Sequence, residues 1–222
     1  MLRQTATYAA VLLLAAIELS GASSPRVVAA ESYGKLPMQF EPNRGQAGPQ
    51  TRFLARGRGY ALYLTDTGAT MAARNGDKTS LVRMQLRGAN PRPQAEALDA
   101  LPGVTNYFIG NDPKQWRRDV PTSRRVKYRD VWPGIDMVYY GNQKELEYDF
   151  VVRPGAQADQ IRFAFDGMEK LWIAGNGDLV MRTAGGEVRH RQPVIYKVQG
   201  RYVLRGHEVA FAVPVTTARQ RW

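Results

Sequence analysis

Runs with a two-residue period dominate the chain. Tyr60, Leu62 and Leu64 alternate with Ala61 and Tyr63, and Val82, Met84 and Leu86 alternate with Arg83, Gln85 and Arg87. Leu146, Tyr148, Phe150 and Val152 alternate with Glu147, Asp149 and Val151. Ile161, Phe163 and Phe165 follow the same rule, as do Val194, Tyr196 and Val198, and Val209, Phe211 and Val213. A period of two sends successive side chains to opposite faces of a strand. Many such runs, separated by turn residues, predict an all-β fold: an antiparallel β-sandwich-like domain of many short strands with very little helix.

Turn chemistry marks the ends of the runs. Gly175-Asn176-Gly177-Asp178 separates Leu171–Ala174 from Leu179–Thr183, and Gly185-Gly186 precedes Val188–His190. Asn-Gly supplies the positive φ of a tight hairpin. Arg153-Pro154-Gly155 ends the strand closing at Val152, because Pro cannot donate to a ladder. Helical signal is poor: Gln94 to Leu101 has the length for two turns and Gln157 to Gln160 for one, and neither is long enough to stand alone. A loop rich in Pro, Asn, Ala and Gln, from Gly88 to Pro102, divides the β pattern without a shift in composition. Residues 31–222 therefore read as one β-rich domain, with 214–222 an atypical tail suggesting truncation of the domain at its C-terminus.

The first thirty residues differ. Arg3 precedes an apolar run, Tyr8 to Ile17, that Glu18 stops. Small-residue sites follow at Ser20-Gly21-Ala22 and Val28-Ala29-Ala30. This is the layout of a signal peptide spanning 1–30, cleaved after Ala22 or Ala30. Ten apolar residues rise only about 15 Å as a helix, half of a ~30 Å hydrocarbon core, so no membrane span is expected after cleavage. The protein is expected to be secreted, periplasmic or at the cell surface.

Composition narrows the chemistry. Cysteine is absent, which removes disulfides, thiolate nucleophiles and Cys-based zinc sites. The net charge is +11, and Arg outnumbers Lys 24 to 7, which invites a polyanion as partner. Export argues against nucleic acid and leaves an acidic polysaccharide, or an envelope or extracellular protein. The densest basic stretch, interleaved with aromatics, is the candidate ligand or polyanion patch: Trp116, Arg117, Arg118, Arg124, Arg125, Lys127, Tyr128 and Arg129. Aromatic faces beside Arg suit stacking on a sugar, and suit core anchoring equally well.

Catalytic signatures are missing. No phosphate loop, H-E-x-x-H or G-x-S-x-G occurs. Ser80 and Ser123 lack a nucleophile setting, and His190 and His207 read as exposed structural residues. Glu145, Glu147 and Asp149 share one strand face, roughly 6.6–6.8 Å apart along it. With Asp136 they form the one carboxylate set suited to hydrolysis of a glycosidic bond, although such a pair must flank the bond from opposite sides. No catalytic residue, cofactor or metal ligand is assigned.

A string of short motifs adds a resemblance. It runs through Leu36-Pro37-Met38-Gln39-Phe40-Glu41-Pro42-Asn43-Arg44-Gly45-Gln46, Asn106-Tyr107-Phe108-Ile109-Gly110-Asn111-Asp112-Pro113, Tyr128-Arg129-Asp130-Val131-Trp132-Pro133-Gly134-Ile135-Asp136, Tyr139-Tyr140-Gly141 and Leu146-Glu147-Tyr148-Asp149-Phe150. From about residue 36 to 213 the chain resembles the N-terminal β-rich domain of unknown function found ahead of SBBP (β-propeller) repeats in exported bacterial proteins. The resemblance implies a secreted or surface protein and carries over no catalytic residue. It also implies a further closing strand after Val213, which residues 214–222 do not match. The sequence as a whole points to an exported, non-enzymatic structural or interaction module. The rival is a carbohydrate-active hydrolase or polysaccharide-binding domain using surface carboxylates and aromatics.

Overall fold

A computed structural model describes residues 13–20, 37–57, 59–142, 145–195, 198–199 and 201–212. The tail 214–222 lies outside the described residues, as do both expected cleavage points of the leader. Strands are numbered along the chain, and every strand pairing among the described residues is antiparallel.

One layer is a meander. Strands β2 (Phe40–Pro42), β3 (Phe53–Gly57), β4 (Tyr60–Thr65), β5 (Gly68–Asn75) and β6 (Lys78–Leu86) pair in sequence order. β11 (Arg162–Asp166) adds to β6, β18 (Glu208–Ala212) to β11, and β17 (Arg201–Arg205) to β18. The second layer holds β7 (Gln94–Tyr107), β8 (Arg117–Trp132), β9 (Ile135–Gly141) and β10 (Glu145–Val152) in order. It continues through β1 (Leu13–Ser20) to β14 (Gly186–His190), β13 (Leu179–Thr183) and β12 (Lys170–Ile173). The short β15 (Val194–Ile195) pairs with the start of β1 and carries β16 (Val198–Gln199). A single Phe40–Ser123 pairing joins β2 to β8.

The alternation read from the sequence decides what lies between the layers. Leu62, Val82 and Met84 of the meander face Leu146, Tyr148, Met181 and Val188 of the other layer across one small apolar gap. Phe150 and Phe163, both fully buried, stack at 6.4 Å between them. Burial of such side chains contributes ~1.5–3 kcal/mol each and is the main force closing the sandwich.

Two helical expectations meet different outcomes. Ala158–Gln160 is a short 3₁₀ turn, as the sequence suggested. Gln94–Leu101 is instead the first half of β7. Residues 94–98 run in register with 129–125 of β8, so backbone pairing overrides the helical preference of this Ala- and Leu-containing stretch. Among the described residues β7 pairs along one side only. There the positive φ of Asp99, 56°, and a register shift between Ala100 and Val104, at the Pro102-Gly103 step, are tolerated. Thr122 Oγ1 donates to the Gly103 carbonyl at 2.8 Å and seals the irregular stretch. The expected long loop shrinks to residues 88–93.

The Asn43-Arg44-Gly45-Gln46 motif is a self-satisfied loop between β2 and β3. The Asn43 carboxamide accepts from Gly45 and Ala47 N–H and donates to the Gly48 and Thr51 carbonyls at 2.9 Å. Arg117 donates from Nε to the Arg44 carbonyl at 2.7 Å. Gly45 has φ of 104°, and a Cβ there would stand 2.9 Å from that same Nε. Asn43→Ala strips these partners and is expected to lower stability by ~1–3 kcal/mol in urea unfolding. A loss under about 0.5 kcal/mol would mean that water replaces the carboxamide without cost.

Candidate functional site

The outer face of β8, β9 and β10 gathers both charged sets that the sequence singled out. On β8, Val126 and Tyr128 turn inward, so Arg125, Lys127 and Arg129 turn outward. On β10, Leu146, Tyr148 and Phe150 turn inward, so Glu145, Glu147 and Asp149 turn outward. Lys127 stands opposite Val138 of β9, and Val138 opposite Asp149. The basic and acidic sets are therefore two strand spacings apart, about 10 Å between backbones.

Most of these charges are paired. Lys127 Nζ lies 2.9 Å from Asp136, Arg129 lies 2.7 Å from Glu96, Arg125 lies 2.6 Å from Asp99, and Arg191 lies 2.9 Å from Glu145. The three arginine pairs are largely exposed and contribute little stability each, whereas Lys127 and Asp136 are mostly buried. Together the pairs neutralise the face. Asp136 is further committed to the β8–β9 hairpin. Its Oδ1 accepts from Asp130 N–H at 2.9 Å, Asp130 in turn accepts from Gly134 N–H, and Arg153 pairs with Asp130. That accounts for the Tyr128–Asp136 motif as a turn lock.

Asp149 and Glu147 remain as a carboxylate pair around Tyr140. The Tyr140 hydroxyl donates to Asp149 Oδ1 at 2.9 Å. Burial pushes the Asp149 carboxyl up to about 6. The Glu147 charge pushes the same way, and the Tyr140 hydrogen bond and Arg125 oppose it. Burial likewise raises Glu147, helped by the Glu145 charge and opposed by Arg191 and the Tyr140 hydroxyl. The arrangement can hold a proton in mildly acidic solution. Both carboxylates project from the same side of one strand, so neither reaches around a substrate bond to face the other. Three cavities among the described residues are lined by other side chains.

A group with a raised folded pKa binds its proton more tightly in the folded state. Asp149 therefore supports the fold at low pH, and that support is lost as pH rises from about 4 through 6. Asp149→Asn keeps an acceptor for Tyr140 and removes the buried charge. The variant is expected to gain stability on the parent between pH 4.5 and pH 8. Equal differences at both pH values, in matched urea titrations, would show that Asp149 is ionised without penalty.

The other patch residues fall elsewhere. Tyr128 is a correction to its place in a ligand patch: it is buried, edge-on to Tyr139 at 5.9 Å, and burial holds its phenol well above the usual range. Arg117 is tied into the Asn43 loop. Arg124 is exposed on β8. Trp116 and Arg118, two members of the patch read from the sequence, stand apart from the charged face in a corner with Phe108 and Ile109, which the sequence did not single out as site residues. There Phe108 is 59% and Ile109 65% exposed. Phe108 meets Trp116 edge-on at 5.1 Å, and the Arg118 guanidinium lies 5.3 Å and 5.5 Å from the two rings. Trp116 Nε1 donates to the Gly110 carbonyl at 3.1 Å, which fixes the indole. The Asn106–Pro113 motif already held Phe108 and Ile109, but alternation said nothing of them because they lie beyond the end of β7.

His190 is a second correction. It is buried, not exposed, at 1% relative accessibility. Its Nδ1 lies 3.2 Å from the Tyr148 hydroxyl, and its ring meets Phe165 edge-on at 5.1 Å. Burial drives its pKa down to about 3, so it is neutral in the folded protein. His207 is exposed in the β17–β18 turn, as expected. Ser80 Oγ accepts from Gly185 N–H and Ser123 Oγ donates to the Phe40 carbonyl, both structural bonds. Among the described residues, no three acidic or His side chains are grouped to hold a metal ion.

No curated protein and no solved structure matches the chain. A family model described as a domain of unknown function (DUF7948) matches residues 40–221. The match takes in the charged face, the Phe108–Trp116 corner and most of the segment set apart as a tail. The chain thus belongs to the DUF7948 family of domains of unknown function.

Proposed function

We propose that the chain is an exported, non-enzymatic interaction module of a bacterial cell-surface or secreted protein, which contacts an envelope partner or an acidic polysaccharide through the Phe108–Trp116–Arg118 corner. In such a protein it would stand ahead of β-propeller repeats, as its sequence resemblance implies. The observation that carries the reading is the pair of exposed apolar side chains, Phe108 and Ile109, beside a fixed indole and a guanidinium. Exposed aromatics beside Arg are the composition of contact sites rather than of ordinary surface. Arg125 and Arg129 are less suited to that task, because their charge is spent on Asp99 and Glu96. The signal-peptide layout of residues 1–30 supports export.

The test has two parts. N-terminal sequencing of the protein from its native host should read from residue 23 or 31, and an intact Met1 in the cytoplasm would defeat export. On a glycan and polyanion array, Gln at Arg124, Arg125 and Arg129 together should weaken heparin retention modestly, as a loss spread over many arginines. Abolition of retention, with the fold intact, would make the basic cluster itself the site.

One observation favours the hydrolase reading: a carboxyl near pKa 6 beside a second carboxylate, the usual setting of a general acid. Under that reading Asp149→Asn abolishes release of reducing ends from a polysaccharide panel. Under ours no release is measured from either protein.

A further inference from the structure

β10 and β14 each turn one edge toward the same gap. The other edge of β10 is taken by β9, and that of β14 by β13. β1 joins them: residues 15–18 pair with 148–145 of β10, and residues 17–20 with 190–187 of β14. Neighbouring strands lie ~4.8 Å apart, so without β1 the two edges would stand about 10 Å apart and leave their N–H and C=O groups unmatched.

The walls of this slot specify what fills it. Tyr148, Leu146, His190 and Val188 are buried, and they stand in register with positions 15, 17, 17 and 19. Glu147, Glu145 and Glu187 alternate with them and stand in register with positions 16, 18 and 20, and Arg189 stands across from position 18 on the β14 side. A filling strand therefore needs apolar residues at alternate positions and is favoured by basic residues at positions 16 and 20 between them. The leader meets the first requirement with Ala15, Ile17 and Leu19. It meets the second poorly, since Ala16 and Ser20 stand opposite Glu147 and Glu187, while Glu18 lies between Glu145 and Arg189.

We propose that the gap between β10 and β14 is a strand-acceptor site. Residues 13–20 fill it while the leader is attached. After cleavage it takes an extended segment of a partner polypeptide, apolar at alternate positions and basic between, antiparallel to both walls. The mode is β-strand addition, in which backbone bonds give affinity and alternate pockets give selectivity. The proposal rests on the export reading for removal of the leader.

Because the chain has no cysteine, introduced pairs report cleanly. In the full chain, Ala16→Cys with Glu147→Cys places two thiols directly opposite, at a Cα separation of about 4.5–5.5 Å that suits a disulfide. This pair is expected to oxidise at least tenfold faster than Ala16→Cys with Asp149→Cys. The exported form carrying Glu147→Cys is then mixed with a peptide of residues 11–22 bearing Ala16→Cys. A mixed disulfide is expected, at least tenfold less with an added Ile17→Pro and severalfold more with an added Ser20→Lys, which would stand opposite Glu187. Should the exported form aggregate with its slot open, the same peptides are added during refolding, and only those without Pro should raise the soluble yield. Equal oxidation of the two intramolecular pairs would overturn the strand assignment. Exported protein lacking Met1 that ignores the peptide, or takes the Pro peptide equally, would overturn the acceptor site and leave export standing. Intact Met1 together with the 16–147 cross-link would overturn both donation and export, with β1 a permanent strand.

Discussion

Phe150→Ala is expected to destabilise the protein by about 3–5 kcal/mol, the range for removing a large aromatic from a packed core. Phe150 is fully buried and lies where the two layers meet. Its ring stands edge-on to Trp132 and Tyr148 at 5.7 Å, and contacts Phe211 at 6.0 Å in addition to the stacked Phe163. Both layers lose contacts at once, and the backbone ladders on either side limit collapse into the cavity. Against a total of ~5–15 kcal/mol, the loss is a large fraction of the fold's stability. Urea unfolding reads it as a shift in midpoint. Val151→Ala, one residue along and on the opposite face, is expected to cost under about 1 kcal/mol. A Phe150 effect as small as that of Val151 would mean that the layers are not packed through this residue.

Acidification from pH 7 to pH 4 is expected to remove about 3 kcal/mol of stability through His190 alone. The folded pKa is about 3 and the ordinary value 6.5. Below pH 6.5 the unfolded chain takes up a proton that the buried ring refuses. The contribution is therefore complete above pH 6.5 and is lost as pH falls toward 3. Asp149 acts in the opposite sense between about pH 4 and 6, so the clean measurement is a difference between proteins. His190→Gln retains an acceptor for the Tyr148 hydroxyl and does not titrate. The parent should be the more stable protein at pH 7, and the gap should close or reverse by pH 4. A gap that is independent of pH would show that His190 is accessible to protons in the folded state.

The strands were legible because their apolar residues alternate. β4, β6 and β10 lie where Tyr60, Val82 and Leu146 begin their runs, and the turns at Gly185 and Pro154 end strands as expected. The Gly175–Asp178 turn is longer than a two-residue hairpin, with positive φ at Gly177 and not at Asn176. β7 was not legible. Its residues are mostly exposed, so no alternation marks them, and its state is set by β8, a partner distant in sequence. His190 reads as exposed when judged beside Arg189 and Arg191, although Val188 two positions earlier carries the inward phase of the same strand. The charged face depended on register. Arg129 and Glu96 are 33 residues apart, and Lys127 meets Asp136 across a hairpin whose bulge the sequence does not announce. Composition counted these charges but could not tell which of them neutralise one another.

The most direct test of the account is co-sedimentation of the exported protein with envelopes isolated from its native host. Two double variants are compared with the parent. Phe108→Ser with Trp116→Ala removes the exposed corner, and Arg125→Gln with Arg129→Gln removes two ion-paired arginines of the charged face. The corner variant is expected to lose at least tenfold in apparent affinity and the face variant less than twofold, both with unchanged unfolding midpoints. Loss confined to the face variant would contradict the corner as the contact site and assign contact to Arg125 and Arg129.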